Sequence, residues 1–177
     1  MRILLMCEGT NEETLISALL DANAFIFDRS DLIGLKPYAV RDLNNPFIKT
    51  ELKLYGKPVI IYRIGDKQTD KLSIPKELSG IVNKKDIYKY CTKPELEILL
   101  IINEKLLKDY EKVKSIESPK TFAKKNIKFN GKKYDQSSEF LKNYYSDINK
   151  LIKNLKEYKK YKKKHNKDEL YLADLLK

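Results

Sequence analysis

The sequence predicts an α/β fold: a mostly parallel sheet flanked by helices, followed by a helical, basic second half. Two strand-length apolar runs, Arg2–Cys7 (RILLMC) and 58–64 (PVIIYRI), are separated by stretches with helical spacing. That alternation builds parallel sheets covered by helices. After about residue 90 it gives way to helical periodicity alone. The charge divides at nearly the same place. Residues 1–104 hold 15 Lys+Arg against 15 Asp+Glu and residues 105–177 hold 21 against 10, so the second half carries the whole net charge of +11. The expected organisation is an α/β core over 1–90 and a helical basic extension over 91–177 packed on it.

Each element has its own signal. Thr10 and Glu13 have the spacing of a capping box. Leu15, Ala18, Leu19 and Ala22 follow at helical spacing, giving a helix over 11–23. Segments 24–29 and 35–41 are weaker extended candidates. A helix over 45–55 has Pro46 near its first turn and Gly56 as its stop. The second apolar run ends at Gly65-Asp66. Thr92 and Glu95 offer another capping box, opening one helix through about residue 113, and its stretch 98–102 is apolar all round and therefore buried. Ser118 caps a short helix over 119–125, and Asn130-Gly131 is a tight turn. The longest helix is expected over 137–163. Its residues Leu141, Tyr144, Ile148, Leu151, Leu155 and Tyr158 form a seam at three-four spacing. Docking of that seam on the helix 92–113 is favoured over dimerisation, so the chain is a monomer or a homodimer. Asp168 caps a last short helix that turns Leu172 and Leu176 inward.

Composition excludes several classes. No window approaches the ~18 consecutive apolar residues of a membrane span. The N-terminal apolar run passes straight into acids, unlike a signal peptide. Two cysteines, Cys7 and Cys91, make no disulfide framework, and with the single His165 they make no zinc site. A reduced, cytoplasmic protein without membrane contact is expected. The segregated positive charge points to a polyanionic partner.

Gly-rich phosphate loops and nucleophile elbows are absent from the sequence, and one histidine leaves no room for most triads. Carboxylates remain, and they stand at strand ends. Glu8 follows the first strong run; Asp66 follows the second, with Asp70 four residues on. Ligands of open α/β sheets bind outside the carboxyl ends of the strands. Carboxylates gathered there repel one another unless a cation lies between them, and oxygen-only clusters suit Mg²⁺ or Mn²⁺.

The stretch ILLMCEGTNEETLISALL resembles the opening of a TOPRIM domain: an apolar strand, Glu-Gly, two residues, then an acid at the start of a helix. The closest flavour is the small TOPRIM-like nucleases near the overcoming-lysogenisation-defect group. The resemblance covers about residues 1–100 and implies a TOPRIM/Rossmann-like sheet. It also implies a metal-dependent nuclease, with Glu8 in acid/base or metal-binding work and Glu12 as the acid one turn later. The family's second motif, Asp-x-Asp after a buried strand, matches at Asp66. Position 68 is Gln68, and the next acid is Asp70. KPELEILLII, with Glu95 and Glu97, resembles a late acidic motif of these relatives.

The expected function is phosphodiester cleavage of DNA or RNA. Catalysis falls to Glu8 and Asp66, and Mg²⁺ or Mn²⁺ is held by Glu8, Asp66 and Glu12 or Asp70. Nucleic-acid contacts are expected from Arg63 and Lys67 beside the site and from Lys159, Lys160, Lys162, Lys163 and Lys164 in the basic half. By resemblance such nucleases serve defence or repair, with an ATPase partner subunit. The alternative is a non-catalytic TOPRIM-like module binding nucleic acid or protein, which Gln68 favours.

Overall fold

The computed structural model describes residues 1–65, 71–92, 95–163 and 169–177, the side chain of Lys163 excepted. Five strands, β1 (Arg2–Cys7), β2 (Tyr38–Ala39), β3 (Val59–Gly65), β4 (Val82–Cys91) and, named out of turn, β7 (Leu170–Tyr171), form one sheet in the order β2-β1-β3-β4-β7. Every neighbouring pair is parallel. A hairpin of β5 (Lys128–Phe129) and β6 (Lys132–Lys133) stands apart, turned by Asn130 and Gly131, both at positive φ.

The strand β1 is buried on both faces, as a central parallel strand must be, so its sequence reads as an unbroken apolar run. Alternation still sorts its side chains. Ile3, Leu5 and Cys7 join the larger core, beneath α1 (Thr10–Asp21), α3 (Ile98–Asn103), α5 (Pro119–Asn126), α6 (Ser138–Tyr144) and α7 (Ile148–Lys163). Leu4 and Met6 join the smaller core, beneath α2 (Pro46–Tyr55). Helices therefore cover both faces. Residues 91–177 share the larger core with β1 and β3 and supply the edge strand β7. No helix among the described residues is long and apolar enough to cross a membrane.

Several local expectations need correction. Gly9, in extended backbone, is the N-cap of α1, and no side chain caps that helix. Thr10 lies within the first turn, where its carbonyl accepts from the Thr14 hydroxyl, so the box with Glu13 does not form. The expected helix 92–113 is two helices, α3 and α4 (Leu107–Val113), broken at Lys105, whose φ is +59°. The expected helix 137–163 is also two. Tyr145 ends α6, and the Asp147 carboxylate accepts from the Asn149 N–H at 3.0 Å, restarting the chain as α7. A polar Ser-Asp pair between two apolar seams is a helix-start signal, and it outweighs the continuous spacing. The seam itself packs inward: Leu141, Tyr144, Leu151, Leu155 and Tyr158 are buried, and α7 docks on α3. Leu172 and Leu176 are buried as expected, while Asp168 lies outside the described residues.

Candidate functional site

The order 2-1-3-4 and then β7 turns back on itself at β1, which has β2 on one side and β3 on the other. In doubly wound sheets of this order the crevice at the β1/β3 carboxyl ends is where ligands sit. Glu8 is the first residue past β1. Its N–H donates to the Ile64 carbonyl at 2.9 Å, continuing the ladder to β3. Its side chain, only 18% exposed, lies against Gly65. A Cβ added at Gly65 would stand 2.6 Å from Glu8 Oε2 and 3.1 Å from Glu8 Cβ. At Gly9 an added Cβ would stand 3.0 Å from Glu12 Oε2. Both glycines leave space that carboxylates fill.

Arg41, just beyond β2, fixes Glu8 from the far side. Its Nε donates to the Glu8 carbonyl at 3.0 Å and its Nη2 lies 3.6 Å from Glu8 Oε1. Glu12 is the acid one turn into α1. Burial chiefly, together with the charges of Glu8 and Glu97, raises its carboxyl above the usual range, against the lowering pull of its own backbone N–H and of Arg41. Glu97, at the N-cap of α3, is buried, and the Tyr134 hydroxyl donates to its Oε1 at 2.8 Å. Tyr134 comes from the second half of the chain. Its segment is tied to α1 by Asn11, which donates to the Gln136 carbonyl at 3.2 Å and accepts from Ser138 at 2.8 Å. Glu8, Glu12, Glu95, Glu97, Arg41 and Lys120 line one cleft of about 250 Å³. Glu95 has a structural task within it, accepting from the Lys120 N–H at 2.9 Å and so capping α5 beside Ser118.

A second, smaller cleft adjoins the first at Glu8 and Arg41. Its other charged walls among the described residues are Arg63, on β3, and Lys89, on β4, with Tyr90 beside them. One edge of the sheet site is thus acidic and the other cationic, with Glu8 between.

The remaining expected residues divide. Asp66, Lys67 and Asp70 lie outside the described residues, as do Lys164 and the Lys163 side chain. Lys159 is ion-paired with Asp174, Lys162 Nζ lies 5.4 Å from the Tyr161 ring centroid, and Lys160 is exposed. Lys156, Lys159 and Lys160 line an open groove on α7, whereas the Glu8 clefts are lined by other residues.

Among the described residues no three acidic, thiol or imidazole groups come together closely enough to hold a metal ion by themselves. The carboxylates do fit a divalent ion in other respects. They are oxygen-only donors, space is kept for two of them by glycines, and Glu12 is destabilised as an anion chiefly by burial and further by its acidic neighbours. Mg²⁺ keeps several waters and is commonly held by only one or two protein carboxylates.

Arg41, Lys89 and Tyr134 were not legible as site residues. Arg41 follows a two-residue strand, and Lys89 lies on β4, whose Lys84-Lys85-Asp86 run disguises it as a loop. Tyr134 is distant in sequence, with no local pattern to mark it. No family model, curated protein or solved structure matches the chain.

Proposed function

We propose that the chain is a TOPRIM-like nuclease that cleaves phosphodiester bonds of nucleic acid with Mg²⁺ or Mn²⁺. The observation that carries this reading is the Glu8 carboxylate pressed against Gly65 at the β1/β3 crevice, with Glu12 one turn on and Arg41 clamped to Glu8. Glu8 and Glu12 would hold the ion together with Asp66, which follows Gly65 in the chain, and Asp70. When bound, the ion supplies charge stabilisation to the phosphate and the leaving oxygen. Glu8, where it is not a ligand, takes the proton of the attacking water as general base while the bond from phosphorus to the leaving oxygen breaks. Arg41 orients Glu8 and offsets its charge. Arg63 and Lys67 meet the phosphate beside the scissile bond, and the α7 lysines hold the backbone further along, an affinity that is sequence-blind and weakened by salt. By the same resemblance the proposal extends to an ATPase partner and to a cytoplasmic role in defence or repair.

A second reading, a non-catalytic module binding nucleic acid or protein, is favoured by Gln68, which stands where the resembled motif has its second aspartate. The two separate in one assay. Single- and double-stranded DNA and RNA are incubated with the native chain and Mg²⁺ or Mn²⁺, beside Glu8→Gln. Metal-dependent cleavage by the native chain alone is expected. Binding without cleavage under all conditions would replace the first reading by the second.

A further inference from the structure

We infer that the pocket between the β5–β6 hairpin and α6 takes an unstacked nucleobase of the substrate strand. The inference rests on the nucleic-acid reading of the Glu8 site and deepens it, by assigning a part of the strand other than its phosphates. Base binding can be measured without metal, phosphate or cleavage.

Local sequence builds the pocket. Phe129 and Lys132 are cross-strand partners and leave the same face of the hairpin, across the Asn130-Gly131 turn. Phe140 and Asn143, three residues apart, share a face of α6, and Ser146 follows the helix end. The two elements meet through their rings, Phe129 lying 5.3 Å from Tyr144 and 6.5 Å from Phe140, edge to face. The space left above them is about 340 Å³, walled by Phe129, Asn130, Lys132, Phe140, Asn143 and Ser146. It is the size of a site for one small planar molecule.

The chemistry of the walls selects a neutral, polar ring. Half-buried Phe129 offers an aromatic surface, on which bases of any kind gain by contact. Asn130 and Asn143 are exposed, and their carboxamides are bonded to no other group among the described residues. Each presents a donor beside an acceptor, the pattern that pairs with the amino group and ring nitrogen of adenine. The charges nearby are already matched or held. Lys132 is paired with Asp135 at 3.0 Å, and Lys150 lies over the Tyr144 ring at 3.5 Å while donating to the Tyr144 carbonyl at 3.3 Å. An anion would therefore gain little here. Position ties the pocket to the acidic cleft. The Tyr134 ring meets the Phe140 ring at 5.2 Å, and its hydroxyl donates to Glu97 at 2.8 Å. Only the width of Tyr134 separates the Phe140 wall from Glu97, so a strand with its phosphate in the acidic cleft has a neighbouring base within reach of the pocket. A base held there has left its stack, which favours single strands.

The test is nitrogen-edited NMR of the native chain without divalent ions, titrated with adenosine, inosine, cytidine and uridine, none of which carries a phosphate. Saturable shifts of the Asn130 and Asn143 side-chain amides are expected, with adenosine binding most tightly. A different ranking upholds the pocket and reassigns its base. Asn143→Ala suits the helix, and Asn130→Gly suits a residue at φ +49°, so both variants remove a carboxamide and keep the fold. Each should lose about tenfold in affinity. Lys128→Gln, exposed on the other face of the hairpin, should lose none. Shifts no larger than those from ribose alone, or equal affinity in folded Asn143→Ala and native chains, would overturn the inference. So would shifts that follow the chain's own concentration and not the nucleoside, since a second copy would then fill the pocket. Nucleoside binding by a chain that cleaves nothing would leave the pocket standing and remove the nuclease reading. Cleavage by a chain that binds no nucleoside would do the opposite.

Discussion

Replacing Gly65 by alanine tests whether Glu8 is held where the account needs it. The new methyl would stand 2.6 Å from Glu8 Oε2 and 3.1 Å from Glu8 Cβ. The oxygen can swing away; the Cβ is tied to backbone that is hydrogen-bonded to Ile64. Crowding of this kind costs ~1–3 kcal/mol, partly offset by ~0.4–1 kcal/mol from stiffening the unfolded chain. The net is destabilisation of about 1 kcal/mol, or a Tm lower by ~2–4 °C in a chain of this size. Gly80 is the control: it has no heavy atom within 4 Å of an added Cβ and its φ is not positive. Gly80→Ala should be neutral or slightly stabilising. Thermal melts of the two variants give the comparison, and cleavage assays should show metal-dependent activity lost in Gly65→Ala and kept in Gly80→Ala. If Gly65→Ala melts and cleaves like Gly80→Ala, the Glu8 carboxylate is not where the argument places it.

Other outcomes follow from the same geometry. Because the Glu12 carboxyl is raised in the folded chain, the fold binds that proton more tightly than the unfolded chain does. Without divalent ions, stability should therefore fall as pH rises from about 4.5 through the folded value, and Glu12→Gln should flatten that fall in chemical-denaturation curves taken across pH. Tyr134→Phe removes the hydroxyl donor to buried Glu97 and should destabilise by ~1–3 kcal/mol, read in the same denaturation experiment. Leu155→Ala should cost ~2–5 kcal/mol with no change in molecular mass by light scattering, because the seam is packed within the chain. Lys160→Gln should weaken nucleic-acid affinity and flatten the slope of log K against log salt by about 0.7–0.9, measured by fluorescence anisotropy. Lys159→Gln should chiefly remove the pair with Asp174, worth ~0–1 kcal/mol at a partly exposed position.

What was legible in the sequence was whatever a local pattern could mark. The runs that became β1 and β3 are buried on both faces or nearly so, and their apolar continuity announces it. The helix α2 carried its own punctuation: Asn45 caps it and Gly56, at φ +63°, ends it. The strand β4 was missed because its first half bulges against β3 and carries Asn83, Lys84 and Lys85 into solvent, so alternation fails. The strand β7 is two residues long, too short for any period to show. At the site, Glu8 was legible because no local propensity asks for glutamate at a strand end. Glu97 was legible only as an acid before a buried run. Its meeting with Glu12, and the donation from Tyr134, depend on tertiary packing of the second half against α1. Glu95 looked like a residue of its own helix and instead caps α5, a contact across 25 positions that sequence spacing does not encode.

The most direct measurement of the central claim is anomalous scattering at the manganese edge from crystals grown with Mn²⁺ and a non-cleavable single-stranded oligonucleotide. A peak within about 2.5 Å of a Glu8 carboxylate oxygen is expected, with a phosphate on its far side toward Arg41. A well-ordered site with no manganese peak at either Glu8 or Glu12 would contradict the claim.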